Sequence, residues 1–138
     1  MTRLTSTLVQ EVDIVIYNYA VTVDNHYHWA LCLRPSNRIF EVVGGHLDFP
    51  KHTIVADPAN PKRFIAYVKV GEIPDEDMET FGAIMERQHI DNETVHWNCR
   101  DYVLESLDSL CEEFILEEDD EDYVTGIEIA KDKYYGPQ

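Results

Sequence analysis

Cys99 is the residue whose position in this sequence best suits covalent chemistry. It directly follows Asn98, a residue type that caps helices, and an apolar stripe at helical spacing follows it. A thiolate in the first turn of a helix is stabilised by backbone N–H groups and by the positive end of the helix dipole. We therefore expect Cys99 to be a nucleophile. The other interpretation is a small buried residue that merely starts the apolar stripe.

His28 is the matching candidate for a general base. In a strand it shares one side with Ala30 and Cys32, whereas Trp29 and Leu33 point the other way. The small residues would leave room for a helix to approach the imidazole. A thiol and an imidazole in contact are what acyl transfer through a thioester needs. A surface or structural histidine is the alternative.

The elements that must position this pair begin with an antiparallel sheet in the N-terminal half. Four runs rich in β-branched and aromatic residues are predicted strands: 12–23, 29–33, 39–43 and 63–73. One side of the last run should carry Phe64, Ala66, Val68 and Val70. The stretch before that run contains three prolines, at positions 50, 58 and 61, and is expected to be irregular.

The register of the hairpin between the second and third runs decides which side chains face His28. A three-residue loop, 35–37, would pair His28 with Gly44. His46 would then lie one diagonal step beyond, on the same sheet face. A slip by one residue, which a bulge at Gly44-Gly45 would cause, would send His46 to the opposite face.

Two helices are predicted in the C-terminal half. The first, at 75–89, has three acidic residues in its first turn and apolar residues at helical spacing. The second begins at Cys99, with Asn98 as its cap and Asp101 as the capping-box partner. The segment 123–129 fits either a late strand or a short helix.

Two short segments resemble a known enzyme family. The segment 28–33, His-Trp-Ala-Leu-Cys-Leu, is similar to the His-Trp-Ala strand of the permuted NlpC/P60 thiol hydrolases and acyltransferases. The segment 98–103, Asn-Cys-Arg-Asp-Tyr-Val, is similar to their Asn-Cys-x-x-aromatic helix start. These enzymes include the lecithin:retinol acyltransferase-like group and, more distantly, the PPPDE isopeptidases. Histidine precedes cysteine in all of them, as it does here.

The resemblance implies an α+β fold, a circularly permuted papain-like domain in which an antiparallel sheet packs against helices. The length of the chain suits one such domain over residues 1–138. The resemblance further implies an acyl-enzyme on Cys99, His28 as base, and a polar residue on the next strand that orients the base. His46 is the candidate for this third position. The alternatives are Glu41, Asp48 and His52.

The same resemblance suggests how an oxyanion would be stabilised and where a substrate would lie. The backbone N–H of Cys99 would be one oxyanion donor, and the second would be one of Tyr17, Tyr19 and Tyr27. Trp29 and Trp97 adjoin the proposed base and nucleophile. With Tyr27 they would line an apolar substrate cleft, or they would pack in the core. Asn98 would support the site as the helix cap.

The charge of the chain restricts its partners. The formal charge is −16, from 27 acidic and 11 basic side chains, which repels nucleic acid and bare anionic membranes. The acidic run 117–122 is expected to be a solvated loop. Three cysteines in no disulfide or metal pattern, with neither a secretory leader nor a bilayer-spanning run, predict a cytoplasmic protein with free thiols. The oligomeric state stays open.

The substrate predicted from these features is a soluble small molecule or peptide with an amide or thioester bond, and a cationic one would suit the charge. Hydrolysis and acyl transfer share one acyl-enzyme, so the sequence does not separate them. A zinc hydrolase is an alternative that would use the six histidines and Cys99. HExxH and CxxC pairs are missing, so no metal and no other cofactor is predicted. A silent papain-like scaffold that recruits a basic partner is the third reading.

Overall fold

The computed structural model describes residues 8–18, 26–43, 51–94 and 97–135. The strands are β1 (Val9–Tyr17), β2 (His28–Arg34), β3 (Arg38–Val42), β4 (Lys51–Val55) and β5 (Phe64–Pro74). The helices are α1 (Met78–Arg87), α2 (Cys99–Glu112) and α3 (Glu121–Tyr134), and a 3-10 turn, Asp75–Asp77, precedes α1. The predicted α+β class is confirmed.

The five strands form one antiparallel sheet in the order β4-β3-β2-β1-β5. β1 and β2 lie inside the sheet, and most of their residues are buried, with apolar side chains on both faces. β4 falls in the stretch that was expected to be irregular. None of its residues is buried, as suits an edge strand, so the sequence carries little apolar alternation there.

The two faces of the sheet have different partners. Trp29, Leu31 and Leu33 project from β2 into the main core, which also contains Phe81 of α1 and Leu107 of α2. The helices therefore cover the face opposite to His28. The room that Ala30 and Cys32 leave on the His28 side is not filled by the body of a helix, because a helix gains most by burying large apolar side chains.

The second face, here called the His28 face, carries its own apolar cluster. It consists of Val15, Tyr17, Ala30, Cys32 and Ile39, with Ile54, Phe64 and Tyr67 packed against it. Ile54 and Phe64 come from opposite edge strands, so the cluster extends across the whole width of the sheet. Phe64 and Val68 were predicted to share one face, but they lie on opposite faces of the sheet. The reason is that the β1–β5 pairing shifts register between Ile16 and Tyr17.

The β2–β3 hairpin also differs from its predicted register. Leu33 pairs with Arg38 and Leu31 with Phe40, one residue away from the pairing that the three-residue loop implied. This register puts Glu41 on the His28 face. His46 lies outside the described residues, so its own placement stays a prediction.

The helices agree with the sequence more closely. The predicted first helix corresponds to the 3-10 turn and α1, and the second begins at Cys99 as expected. The segment 123–129 is helical, within α3. The acidic run divides: Asp120 caps α3 by accepting from Asp122 N at 3.2 Å, and only residues 117–120 precede the helix. Carboxylates in a first turn are stabilised by the helix dipole.

Within the described ranges no helix is long and apolar enough to cross a bilayer.

Candidate functional site

The start of α2 is held by a complete capping box. Asn98 Oδ1 accepts from the Arg100 N–H at 2.9 Å, and Asp101 Oδ2 accepts from the Asn98 N–H at 2.9 Å. The box satisfies two backbone donors that a helix start leaves unpaired. Cys99 is thereby placed at the first helical position, and the predicted cap role of Asn98 is confirmed.

The thiol of Cys99 lies against the beginning of β2. Its Sγ accepts from the Trp29 backbone N–H at 3.5 Å and lies 3.9 Å from the Tyr27 carbonyl oxygen, to which the S–H can donate. These two backbone groups flank His28 in the chain. The helix start therefore reaches His28 at the end of its strand, although α2 packs on the other face. Cys99 is 3% exposed and His28 4%.

His28 is held on its far side by a carboxylate. Its Nε2 lies 2.6 Å from Glu41 Oε1, and Glu41 Oε2 lies 2.8 Å from His52 Nδ1. Burial alone would raise the pKa of Glu41, but the hydrogen bonds and charges of the two histidines lower it. A carboxylate only accepts hydrogen bonds, so both histidines donate to it. Nε2 of His28 therefore carries a proton, and Nδ1 is the nitrogen available to the thiol.

The charge state of His28 follows from its neighbours. Burial lowers the pKa of His28, but the interaction with Cys99 and the hydrogen bond to Glu41 outweigh burial and raise it to about 9. At neutral pH the ring is then an imidazolium beside a thiol. An imidazolium in contact with a thiol is the pairing that thiol enzymes use for nucleophilic catalysis.

No protein-family model, curated protein or solved structure matches this chain. The contacts of Cys99 and His28 therefore carry the functional argument. The structure brings these two predicted residues together, and it adds Glu41 in contact with the base. The sequence analysis had named Glu41 as an alternative for the residue that orients the base. Ile39 and Glu41 share one side of β3, so the correct hairpin register would have placed Glu41 on the His28 face.

The aromatic residues predicted to bind substrate are largely buried. Trp29 is fully buried and donates from Nε1 to the Tyr134 carbonyl at 3.1 Å. Trp97 is 6% exposed and donates from Nε1 to Glu105 at 3.1 Å. The half-buried Tyr27 packs edge-on against the Tyr134 ring. These contacts are those of core residues, and the substrate-binding roles of Trp29, Trp97 and Tyr27 stay predictions.

The candidate oxyanion tyrosines are placed differently from one another. The Tyr17 hydroxyl donates to the Pro58 carbonyl at 2.8 Å, and its ring lies 5.8 Å from the His28 ring. Its hydroxyl is thus already used in a buried hydrogen bond. Tyr27 contributes its backbone carbonyl oxygen to the site. Tyr19 lies outside the described residues.

The C-terminal end of α3 covers the start of α2. The Tyr135 hydroxyl donates to Asp101 Oδ1 at 3.3 Å, and the guanidinium of Arg100 lies 4.5 Å from the centre of the Tyr135 ring. Together with the Trp29–Tyr134 hydrogen bond, these contacts tie three elements around the thiol. The sequence carried no signal for them, since nothing local relates residue 135 to residue 101.

The other two cysteines, Cys32 and Cys111, also lie within the described ranges. All three cysteines are free. Burial raises the pKa of Cys32 strongly and that of Cys111 to a smaller extent. Across the described ranges, no group of three histidine, cysteine or acidic side chains is arranged to hold a metal ion.

Proposed function

We propose that this protein is a cysteine-dependent hydrolase or acyltransferase with a permuted papain-like fold. One observation carries the proposal: the thiol of Cys99, at a capped helix start, lies beside His28, whose other ring nitrogen is held by the Glu41 carboxylate. Nucleophile, base and orienting acceptor are the three parts of a thiol active site. The order of these residues in the chain, and a helix start that meets the first residue of a strand, support the permuted fold.

In the first half of the reaction, the Cys99 thiolate attacks the acyl carbon of the substrate. A bond forms between Sγ and that carbon, and the carbonyl oxygen takes the electron pair. The N–H of Cys99, at the positive end of α2, is suited to stabilise this oxyanion. The intermediate collapses when the bond to the leaving amine or thiol breaks, and His28 gives that group its proton.

In the second half, the acyl group leaves Cys99. Water, or the hydroxyl or amine of an acceptor, attacks the thioester carbon and transfers a proton to His28. The bond to Sγ breaks, and the thiolate and imidazolium are restored. Hydrolysis and acyl transfer differ only in the attacking molecule.

Glu41 is proposed as the orienting residue in place of His46. It accepts from His28 Nε2, and this hydrogen bond fixes both the ring orientation and the position of the proton. A carboxylate also stabilises the imidazolium that forms during catalysis. The one-residue change in hairpin register supports this choice, because it puts Glu41 on the face that had been assigned to His46.

The substrate class follows from the charge of the chain. A formal charge of −16 attracts cations and repels phosphate-rich surfaces. We therefore propose a soluble amide, thioester or peptide substrate, with positive charge favoured. No metal or organic cofactor is part of the proposed chemistry.

A second candidate function is a catalytically silent scaffold, and the burial of Cys99 and His28 favours it. A thiol that is 3% exposed must gain access to an acyl carbon before it can react. A scaffold would use the acidic surface to recruit a basic partner and would need no reactive thiolate. Reactivity of Cys99 therefore separates the two functions.

The deciding experiment is detection of an acyl adduct by intact mass. The protein is incubated with a series of amide, thioester and peptide acyl donors. We expect an adduct in the wild type and in the control variant Cys111→Ala, none in Cys99→Ala, and slower formation in His28→Ala. Absence of any adduct, together with no reaction of Cys99 with iodoacetamide, would establish the scaffold instead.

A further inference from the structure

We infer that His52 is a positioning residue that holds Glu41 in place, so that the site is a relay of four side chains rather than three. The inference rests on the proposed function, because positioning matters only if Cys99 and His28 react. His52 touches neither of them. It acts through the second oxygen of Glu41, which lies 2.8 Å from His52 Nδ1.

The two oxygens of Glu41 are divided between the two histidines. Oε1 takes the Nε2–H of His28 and Oε2 takes the Nδ1–H of His52. The Glu41 side chain is only 12% exposed, so water replaces a lost donor poorly. Without His52 the carboxylate is free to rotate toward other donors, and its hydrogen bond to His28 weakens.

The backbone makes this pairing specific. Glu41 and His52 are direct partners across β3 and β4, and directly opposed residues on antiparallel strands project side by side. His52 is the outer member, since its side chain is 44% exposed while that of His28 is 5% exposed. It lies on an edge strand and contributes little to the core. Its replacement should therefore leave the fold intact.

The consequence for the chemistry is carried by His28. A Glu41 carboxylate fixed against Nε2 keeps the ring proton there and stabilises the imidazolium. The imidazolium in turn stabilises the thiolate of Cys99. Loss of the His52 donor should therefore lower the fraction of imidazolium near neutral pH and slow the reaction of Cys99 with an electrophile.

Three substitutions of His52 separate positioning from packing. In His52→Asn the amide nitrogen stands at the position of Nδ1 and can still donate to Glu41. In His52→Gln the amide lies one bond further out, near the position of Nε2, and His52→Leu has no donor. His89→Leu, which replaces an exposed histidine remote from the site, is the control. Thermal unfolding of each variant confirms that it is folded.

Two measurements test the inference on the whole chain. The first is the rate at which iodoacetamide alkylates Cys99 between pH 6 and pH 10, read by peptide mass. At pH 7 we expect His52→Gln and His52→Leu to react about fivefold more slowly than the wild type, as befits one partly exposed, charge-assisted hydrogen bond. The rates should converge where all thiols are ionised. The second is the titration of the His28 ring by NMR, which should move to lower pH in the same two variants.

Rescue decides the outcome. We expect His52→Asn to recover most of the alkylation rate and of the His28 titration, and His89→Leu to change neither. If all three His52 variants match the wild type, while His28→Ala still slows alkylation, His52 is not a positioning residue and the proposed function stands. If His28→Ala leaves the alkylation rate unchanged, the proposed function itself fails. Should Cys99 not react at all, the proposed function also fails, and the His28 titration still tests the contact between His52 and Glu41.

Discussion

His28 and Glu41 meet across the β2–β3 hairpin, with Nε2 of the histidine 2.6 Å from Oε1 of the carboxylate. The contact is nearly buried and joins residues 13 positions apart. A buried imidazole without such a partner would lose its proton more easily, because burial disfavours the charged form. The carboxylate is therefore one of the two groups that let His28 hold a proton at neutral pH.

Replacing Glu41 with Gln should lower the pKa of His28 from about 9. The amide can still accept a hydrogen bond from Nε2, but it lacks the charge that stabilises the imidazolium. We expect a fall of about one to two units, the usual effect of a nearby opposite charge. NMR titration of the ring measures it. An unchanged titration would mean that Cys99 alone sustains the raised value.

Cys99 should be the most reactive of the three thiols near neutral pH. Cys32 is fully buried, and burial raises the pKa of both Cys32 and Cys111, which keeps them as thiols. We expect iodoacetamide to modify Cys99 at least about tenfold faster at pH 7, and His28→Ala to remove most of that advantage. Peptide mass mapping over time gives the three rates. Equal rates would show that the nucleophile assignment is wrong.

Asp13 should make the stability of the protein depend on pH. Burial raises the pKa of Asp13 to about 7, even though Arg34 Nε donates to it at 2.9 Å. Between about pH 4 and pH 7 the folded chain keeps a proton on Asp13 that the unfolded chain has lost. The contribution of Asp13 to the free energy of unfolding is therefore full below about pH 4, and it declines as the pH rises toward 7. Asp13→Asn removes the decline. Its stability relative to the wild type should therefore rise from pH 4 to pH 7, on the order of 2 kcal/mol.

Urea unfolding at several pH values measures that difference. Asp108→Asn, which changes an exposed carboxyl on α2, is the matched control and should give a nearly constant difference from the wild type. A flat difference for Asp13→Asn as well would mean that folding does not raise the pKa of Asp13.

Two glycines on helices should respond to alanine in opposite directions. A Cβ at Gly126 of α3 would clash with the Lys69 carbonyl oxygen of β5, whereas a Cβ at Gly82 of α1 would meet nothing within 4 Å. Gly126→Ala should therefore cost about 2 to 3 kcal/mol of unfolding free energy. Gly82→Ala should add about 0.5 to 1 kcal/mol through helix propensity. Chemical denaturation measures both. A neutral Gly126→Ala would show that α3 can move away from β5.

Local features of the chain were predictable from the sequence. The start of α2 at Cys99 follows from an Asn cap, a partner carboxylate three residues on and an apolar stripe, all of which act within one or two helical turns. The strands β2, β3 and β5 likewise follow from β-branched and aromatic runs. β4 was missed because an edge strand can be polar and half-exposed without any apolar alternation.

The faces of the sheet and the register of its strands were harder to predict from the sequence. The side on which the helices pack was predicted from the small residues Ala30 and Cys32, but burial of Trp29 and Leu33 decided it. The hairpin register depends on how residues 34–37 close the turn, and a change of one residue exchanges the faces of the following strand. The choice between Glu41 and His46 turned on that single residue.

By itself the sequence determined which residues are chemically competent: a cysteine at a capped helix start, a histidine at a strand start, and their order in the chain. These follow from side-chain chemistry and from interactions over a few residues. The tertiary structure alone decided that Glu41 and His52 meet beyond His28, and that Tyr134 and Tyr135 close over the start of α2. Such contacts join distant parts of the chain. They depend on strand register and on the burial of whole faces, which no local pattern of residues encodes.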